Sequence, residues 1–311
     1  MMHRIAAGDF NQSQVAAFLT VFMMRPVTVG EMTGFRAALL ERCIDVPLEG
    51  PRMDVCGTGG DGKNTFNIST ITALVLASLG VKIAKHGNYG VSSVSGSSTV
   101  LEQFGFVFSE KPDAIRRSFD RFGIAFMHAP LFHPALKTVG PIRRELGVRT
   151  FFNMLGPLVN PARPTHQLTG VYDLELLRRY HYLLQPTGTK YRVLHTLDGY
   201  DEVTLTDSVK ICEADRESLL TTTDFGYKPL KMSDLYGGET PAEAAQVFQK
   251  ILKGQGSEAQ NAVVSANAAL GLTLFFPEKK LPDAQFEALE KIRSGDVFEL
   301  FKSVVDFSKT V

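Results

Sequence analysis

The sequence predicts an α/β fold with a mostly parallel central sheet and a helical segment at its front. Short apolar runs alternate with helical runs from residue 51 to residue 127, which is the order of βαβ units. Residues 1–45 instead carry apolar residues at helical spacing. The chain has 311 residues, 44% of them hydrophobic, which is enough for one large domain or two smaller ones.

Two helices are predicted in the front segment. The first ends before Pro26, and its apolar stripe consists of Val15, Phe18, Leu19 and Phe22. The second begins at a capping box, in which Thr28 and Glu31 satisfy the free N–H groups of the first turn. These apolar faces predict core or interface surfaces.

The α/β part begins after Pro51. Its predicted elements are, in order, a strand over 53–56, a helix over 67–79, a strand over 81–84, a helix ending at Gly105, a helix over 112–122, a strand over 124–127, a strand over 191–196, and helices over 241–252 and 260–272. Residues 132–165 contain several prolines and are predicted to be helices and turns that join the front helices. We therefore predict a helical domain from residues 1–50 and 132–165, and an α/β domain from residues 51–131 and 166–311.

Charge and composition exclude several classes of protein. Lys plus Arg and Asp plus Glu both number 33, so no net charge attracts nucleic acid or an anionic membrane, and only a local basic patch would do so. The longest apolar stretch, residues 71–81, is shorter than the ~20 residues that cross a bilayer, and the first residues lack the pattern of a secretory signal. The three cysteines lie far apart, so neither a disulfide scaffold nor a cysteine zinc site is expected. A cytoplasmic protein with neither nucleic acid nor membrane as partner is predicted.

Three polar loops follow three of the predicted strands, at residues 57–62, 85–97 and 198–202. The carboxyl ends of parallel strands share one rim, where ligands bind in open α/β sheets. The first loop is rich in glycine and leads into a helix, which suits a phosphate or pyrophosphate. An ordinary glycine turn is the alternative, with Asn67, Ser69 and Thr70 merely capping the helix.

The other two loops supply charged groups. Lys85 and His86 suit an anion, although Lys85 alone is also compatible with a solvated surface lysine and His86 with a bond to a backbone carbonyl. Asp201 and Glu202 are adjacent carboxylates, which are usually just solvated, but opposite a pyrophosphate loop they offer the oxygens that Mg²⁺ takes. Arg143, Arg144 and Arg149 lie in the proline-containing segment, where a guanidinium could hold a carboxylate or remain exposed.

Several long motifs stand together in one order and spacing. They are Asp54-Val-Cys-Gly57-Thr-Gly-Gly60-Asp61-Gly, Thr65-Phe-Asn67-Ile-Ser69-Thr70, Lys85-His86-Gly-Asn88, His133-Pro134-Ala135, Arg143-Arg144-Glu-Leu-Gly, Phe152-Asn153-Met-Leu-Gly-Pro157-Leu-Val-Asn160-Pro161, Asp198-Gly-Tyr-Asp201-Glu202, Gly237-Gly238 and Asn267-Ala-Ala. With them the chain resembles the anthranilate phosphoribosyltransferases. The match is dense from about residue 51 to 205 and continues more thinly to about residue 272.

The resemblance implies a small helical domain hinged to a large α/β domain, of the nucleoside phosphorylase/phosphoribosyltransferase class II type, usually paired as a homodimer through the helical domain. It implies transfer of the phosphoribosyl group of 5-phosphoribosyl 1-pyrophosphate to the amino group of anthranilate, with release of pyrophosphate. The reaction belongs to tryptophan biosynthesis and uses Mg²⁺.

The resemblance also assigns site residues. The residues expected to bind phosphoribosyl pyrophosphate are Gly57, Gly60, Asp61, Thr65, Asn67, Ile68, Ser69, Thr70, Lys85, His86, Gly87, Asn88, Tyr89, Gly90, Val91, Ser92, Ser93 and Ser97. Those expected to contact anthranilate are Gly57, Asn88, His133 and Arg143, and those expected to address Mg²⁺ are Ser69, Asp201 and Glu202. Catalysis is expected to rest on positioning and on stabilisation of the leaving group, with Lys85 and His86 as candidates.

The chain departs from the usual family pattern at a few positions. Tyr89 stands where the family usually has Arg, Val94 replaces a usual Lys, Ser98-Thr99 replaces Ala-Asp, and Phe132 replaces His. Two alternative functions stay open at this point. One is a nucleoside phosphorylase of the same fold, and the other is a non-catalytic relative that binds nucleic acid.

Overall fold

The computed structural model describes residues 1–90, 94–148 and 150–311. These residues form a central sheet of seven strands: β1 (Met53–Gly57), β2 (Ile83–Gly87), β3 (Ile124–His128), β4 (His166–Gly170), β5 (Lys190–Thr196), β6 (Val209–Cys212) and β7 (Glu217–Leu220). The strand order is β3-β2-β1-β4-β5-β6-β7. Strands β1 to β5 are parallel, and β6 and β7 add an antiparallel edge. The predicted mostly parallel sheet is therefore confirmed.

The helices surround this sheet and form a separate group at the front of the chain. They are α1 (Met2–Ala6), α2 (Gln12–Met24), α3 (Val29–Glu41), α4 (Ile68–Ser78), α5 (Ser97–Gln103), α6 (Pro112–Phe122), α7 (Ala129–Phe132), α8 (Pro134–Leu146), α9 (Leu174–Leu184), α10 (Pro241–Leu252), α11 (Glu258–Phe275), α12 (Leu281–Ser294) and α13 (Asp296–Ser308). Short 3-10 turns occur at Phe151–Met154, Gly156–Leu158, Gln185–Thr187, Thr222–Phe225 and Met232–Leu235.

Local signals in the sequence place several helices correctly. Helix α3 begins at the predicted capping box, where the Thr28 side chain accepts from the Glu31 N–H and the Glu31 carboxylate accepts from the Thr28 N–H. Helix α6 begins with Pro112 at its first position and ends at Gly123, which is left-handed with φ of 71°. Both α6 and α10 have the predicted bounds.

One predicted strand boundary was wrong, and the difference matters for the site. Strand β2 runs over Ile83–Gly87 instead of 81–84, so Lys85 and His86 lie within the strand. Their backbones pair with Phe126 and Met127 of β3, and both side chains are buried. Charged side chains are rarely buried without partners, so the pattern alone favoured a loop here.

The packing joins the two parts of the chain. Strand residues alternate between the two faces of the sheet. Leu194 belongs to the buried cluster that contains residues of α4 and α10 to α13, whereas Val193 belongs to the cluster of α9 and the front helices. A single cluster of buried residues thus includes Leu19 of α2, Val139 of α8 and Leu177 of α9. Residues of α8 pack with the front helices, as expected, while the domain boundaries at residues 50, 131 and 165 stay a prediction. Within the described ranges, no helix is both long and apolar enough to span a membrane.

Candidate active site

A pocket opens at the carboxyl ends of β1, β2 and β5. Its surface is formed by the glycine loop after β1, the start of α4, the end of β2 with the segment that follows, and the turn after β5. The predicted residues that line it are Gly57, Asp61, Thr65, Asn67, Ile68, Ser69, Thr70, Lys85, His86, Gly87, Asn88, Tyr89, Gly90, Ser97, Arg143, Asp201 and Glu202. Val91, Ser92 and Ser93 lie outside the described residues.

Two predicted residues do not contribute to the pocket surface. Gly60 belongs to the glycine loop but is absent from the pocket wall. His133 lies beneath the wall, where its Nε2 is 2.7 Å from the Val159 carbonyl oxygen and its ring packs against His86, with centroids 5.3 Å apart. Its side chain is buried, so the structure offers it no direct access to a ligand in the pocket.

Glycine at two strand ends allows the turn after β5 to reach the glycine loop. Strand β4 lies between β1 and β5, and a Cβ at Gly170 would overlap the backbone of Asp201. A Cβ at Gly57 would overlap the Asp201 carboxylate. Because both positions lack a Cβ, Asp201 crosses the end of β4 and its Oδ2 accepts a 2.6 Å hydrogen bond from the Gly59 N–H.

The acidic side of the pocket contains carboxylates that are costly to ionise together. Burial, followed by the charges of Glu202 and Asp61, raises the pKa of Asp201 well above its usual range. Burial likewise raises the pKa of Glu202 to about 7, opposed by the nearby Lys85 charge. Glu202 also accepts hydrogen bonds from the side chain and backbone of Ser69, at the start of α4. A bound cation would therefore favour the ionised forms of both carboxylates.

Lys85 forms the floor between the sheet and helix α4. It is only 2% exposed, and its Nζ donates to the Val55 carbonyl oxygen and, at 3.3 Å, to the Ser69 Oγ. Beneath it, Asp54 is fully buried and accepts hydrogen bonds from the His86 N–H at 3.2 Å and from the Asn160 amide at 2.8 Å. Burial raises the pKa of Asp54 to about 6, although the Lys85 charge opposes this. The solvated alternative for Lys85 is therefore wrong.

His86 is a neutral wall residue at ordinary pH. Burial, together with the neighbouring His133, lowers the pKa of His86 to about 3. Its Nδ1 is 3.1 Å from the Gly156 carbonyl oxygen, whereas its buried Nε2 has no hydrogen-bond partner among the described residues. His86 therefore bonds a backbone carbonyl through one ring nitrogen, while its second ring nitrogen is buried beneath the pocket surface.

The start of α4 is not capped by Asn67. The Asn67 amide donates to the Ser95 carbonyl oxygen at 2.7 Å and makes no capping hydrogen bond. The helix start is thereby tied to the serine-rich segment before α5 while its first turn faces the pocket. The side chains of Ile68 and Thr70 are buried, so these residues offer the pocket mainly their backbone.

Arg143 contributes to the pocket wall from the last turn of α8. Its Nη2 donates to the Asn153 Oδ1 at 3.1 Å, and its guanidinium lies 5.5 Å from the centre of the Phe152 ring. Burial lowers the pKa of Arg143 from its usual value. Arg144 is exposed, and Arg149 lies outside the described residues. A partly buried guanidinium supported in this way is suited to a carboxylate ligand.

The residues present fit a magnesium ion that is shared with a phosphate ligand. Among the described residues, no group of three or more His, Cys, Asp or Glu side chains forms a complete metal cage. Mg²⁺ is usually held by one or two carboxylates together with substrate phosphates and water. Asp201 and Glu202, with the Ser69 hydroxyl beside Glu202, supply such a set, and because burial raises the pKa of both carboxyls, a bound cation would favour their ionised forms.

Comparison with known proteins assigns the chain to a family. A relative from Flavobacterium johnsoniae, named anthranilate phosphoribosyltransferase, is 51% identical over 98% of this chain and 92% of its own length. The chain belongs to the anthranilate phosphoribosyltransferase family. Residues 1–43 match the helical bundle domain of the glycosyl transferase family, and residues 49–298 match its a/b domain.

Solved structures of the same family share the fold. The anthranilate phosphoribosyltransferase of Thermus thermophilus is 33% identical, with a TM-score of 0.92 over 99% of this chain and 93% of that one. The enzyme of Saccharomyces cerevisiae, solved in complex with PRPP and Mg, is 26% identical, with a TM-score of 0.88 over 96% of this chain and 86% of that one. The predicted small helical domain and large α/β domain are therefore confirmed. These relatives support the transferase and neither of the two alternatives.

The departures from the usual anthranilate phosphoribosyltransferase pattern form contacts of their own. The Tyr89 hydroxyl donates to Glu102 at 2.9 Å, and the Tyr89 ring packs on His128 with centroids 4.7 Å apart. The Ser98 Oγ lies 2.8 Å from the His128 Nδ1. Tyr89 and Ser98 thus meet at the same histidine, beside the point where Ser97 donates to the Asn88 carbonyl oxygen at 3.2 Å.

Sequence reasoning missed several residues of the site. Asp54 and Asn153 stand in the motifs of the resemblance but were assigned no role. They act by holding other site residues in place: Asp54 accepts from the His86 N–H and lies next to the Lys85 charge, and Asn153 accepts from Arg143. Lys63 lines the pocket and received no role either. A basic residue directly after a glycine loop was the signal that could have identified it.

Proposed function

We propose that this chain is an anthranilate phosphoribosyltransferase that transfers the phosphoribosyl group of phosphoribosyl pyrophosphate to the amino group of anthranilate. The observation that carries the proposal is the convergence, in one pocket, of the glycine loop, the Asp201–Glu202 pair and Arg143. These are the groups that a diphosphate, its metal ion and a carboxylate need. A relative with this fold has been solved with PRPP and Mg.

The glycine loop and the start of α4 would hold the diphosphate through backbone N–H groups, supported by Lys85 and the Ser69 hydroxyl. Asp201, Glu202 and Ser69 would hold Mg²⁺, which supplies charge neutralisation on the pyrophosphate when it is bound. Arg143, positioned by Asn153, would hold the carboxylate of anthranilate, and Asn88 and Gly57 would line the space between the two substrates.

The reaction forms a bond between the amino nitrogen and C1 of the ribose while the bond from C1 to the pyrophosphate oxygen breaks. The bonding electrons leave with the pyrophosphate, and the proton that the amine loses is released to water. An aromatic amine is neutral at pH 7 and already nucleophilic, so the site needs no strong base. The pKa of His86 is about 3, so its ring is neutral and a weak base. His86 would therefore form part of the pocket wall and would not transfer the proton. Positioning and leaving-group stabilisation would carry the rate.

We also propose that two copies pair through the helical part. Helix α2 buries Val15 and Leu19, while Ala17, Thr20, Val21 and Met24 form a second stripe on its outer face. Met24 is 83% exposed, so this stripe is apolar surface that a second copy would cover. The cytoplasmic location stays a prediction.

The decisive test mixes the purified chain with anthranilate, phosphoribosyl pyrophosphate and Mg²⁺ and follows the loss of anthranilate fluorescence. We expect loss that depends on both phosphoribosyl pyrophosphate and metal, and none with EDTA. The variant Glu202→Gln should abolish the metal-dependent loss, whereas Glu110→Gln, at an exposed glutamate outside the pocket, should retain it. A folded wild-type chain that leaves anthranilate unchanged would overturn the proposal.

A further inference from the structure

A lysine with no role in the scheme above lies on the wall of the pocket. Lys63 follows the glycine loop directly, and its backbone N–H donates to the Asp61 Oδ1 at 3.0 Å. The side chain is half-buried and contributes to the pocket surface beside Asp61 and Thr65. A cation therefore stands at the end of the loop that faces the proposed diphosphate.

The position of the ammonium group is set by an aromatic ring. The Lys63 Nζ lies 4.7 Å from the centre of the Tyr200 ring. Tyr200 is 3% exposed, and its carbonyl oxygen accepts a 3.1 Å hydrogen bond from the Thr196 N–H, so the ring is fixed to the end of β5. Since Tyr200 directly precedes Asp201, the ring holds the Lys63 charge on the acidic side of the pocket.

Lys63 also differs from the other cations of the wall in its partners. Lys85 donates to Val55 and Ser69, and Arg143 donates to Asn153. Among the described residues, Lys63 forms no ion pair with a carboxylate. Within that part of the chain its ammonium has only the ring face as a partner, and a ring face is a weaker partner for a cation than a phosphate oxygen.

We propose that Lys63 binds the diphosphate of phosphoribosyl pyrophosphate, leaving the Tyr200 ring when the substrate enters. The flexible four-carbon stem of lysine permits this movement, and a charge-assisted hydrogen bond replaces the contact with the ring. The proposal rests on the proposed function and adds a substrate-binding residue to it. It assigns Lys63 to the diphosphate instead of the 5-phosphate because Tyr200 holds the lysine next to Asp201.

The chain offers a matched control. Lys82 lies with its Nζ 5.6 Å from the centre of the Phe119 ring, at a half-buried position outside the pocket. Lys63→Gln and Lys82→Gln therefore remove the same charge from similar ring contacts, and only the first removes it from the pocket. Lys63→Arg keeps the charge at that position.

The test is titration calorimetry with Mg²⁺ and two separate probes, inorganic pyrophosphate and ribose 5-phosphate. We expect Lys63→Gln to weaken pyrophosphate binding about tenfold or more and to leave ribose 5-phosphate binding within about twofold of wild type. Lys82→Gln should bind both as wild type does, and Lys63→Arg should recover most of the pyrophosphate affinity. In turnover, Lys63→Gln should raise the KM for phosphoribosyl pyrophosphate and leave that for anthranilate unchanged.

Unchanged pyrophosphate binding in Lys63→Gln would overturn the proposal, as would equal weakening in Lys82→Gln or a loss confined to ribose 5-phosphate. Wild-type turnover of anthranilate, measured in parallel, distinguishes a failure of the Lys63 proposal from a failure of the proposed function. An active wild type with an unaffected Lys63→Gln variant refutes the role of Lys63 alone, whereas an inactive wild type refutes the proposed function.

Discussion

Glu202 is a carboxylate whose ionisation opposes folding. Its pKa is raised from 4.5 to about 7 in the folded chain, so between these values the folded state binds a proton that the unfolded state releases. Stability therefore falls as the pH rises through this window, and the full penalty is present above about pH 7. This arrangement favours metal binding. A bound cation would remove the penalty of ionising Glu202, and the fold already holds the carboxylates in position.

The variant Glu202→Gln removes this charge while keeping the size of the side chain. Without Mg²⁺, we expect Glu202→Gln to stabilise the chain by about 2 kcal/mol at pH 8 and by much less at pH 4.5, as measured by thermal or urea unfolding. Glu110→Gln, which alters an exposed glutamate, should show no such pH-dependent gain. Equal stability of Glu202→Gln and wild type at pH 8 would contradict the electrostatic argument.

Arg143 provides a second test at the scale of a single side chain. Its guanidinium is half-buried and held by Asn153, and in the proposed function it contacts anthranilate in the ground state and the transition state alike. Arg143→Ala should therefore raise the KM for anthranilate at least about tenfold while changing kcat much less. Steady-state kinetics with varied anthranilate decides this. The neighbouring Arg144→Ala is the control, because Arg144 is exposed, and a large kcat loss with unchanged KM would refute the proposed contact.

At the scale of elements, the site depends on the end of a strand that has no proposed binding or catalytic side chain. Strand β4 separates β1 from β5, and Gly170 at its end lets Asp201 cross to the glycine loop. We expect Gly170→Ala to displace the turn after β5, to weaken Mg²⁺-dependent activity strongly and to cost about 1–3 kcal/mol of stability. Gly140→Ala in α8, where a Cβ meets no atom within 4 Å, should leave the activity intact. Full activity of Gly170→Ala in the fluorescence assay would contradict this.

The same strand shows where sequence reasoning stops. The approximate ranges predicted for helices α6 and α10 agree with the structure because proline, glycine and the apolar stripe act locally. Strand β4 was not predicted, since the segment His-Gln-Leu-Thr-Gly contains one strongly apolar residue and is buried only by its neighbours in the sheet. Lys85 was placed in a loop for a related reason: its burial rests on partners from β1 and α4, which no local pattern reveals.

The candidate site was predictable to a different extent. The residues that approach a ligand stand in long motifs, and most of those predicted from the resemblance line one pocket. The residues that hold them could not be read from the sequence in the same way. Asn153 acts on Arg143 and Asn160 acts on Asp54, through contacts that depend on the folded arrangement of strands and helices.

At the scale of the whole molecule, helix α2 has an inner apolar face that is buried and an outer apolar stripe that is exposed in the described part of the chain. The inner face of α2 packs into the core shared with α8 and α9, whereas Val21 and Met24 are 48% and 83% exposed. If these residues form the proposed interface between two copies, Met24→Asp buries an unpaired charge there on association. We expect this variant to convert the dimer to a monomer in light scattering, with its thermal stability as an isolated fold little changed. Met232→Asp alters a methionine that is 56% exposed outside the helical part, so it should remain dimeric. A wild type that is monomeric at micromolar concentration, or a Met24→Asp variant that stays dimeric, would show that this stripe is not the interface.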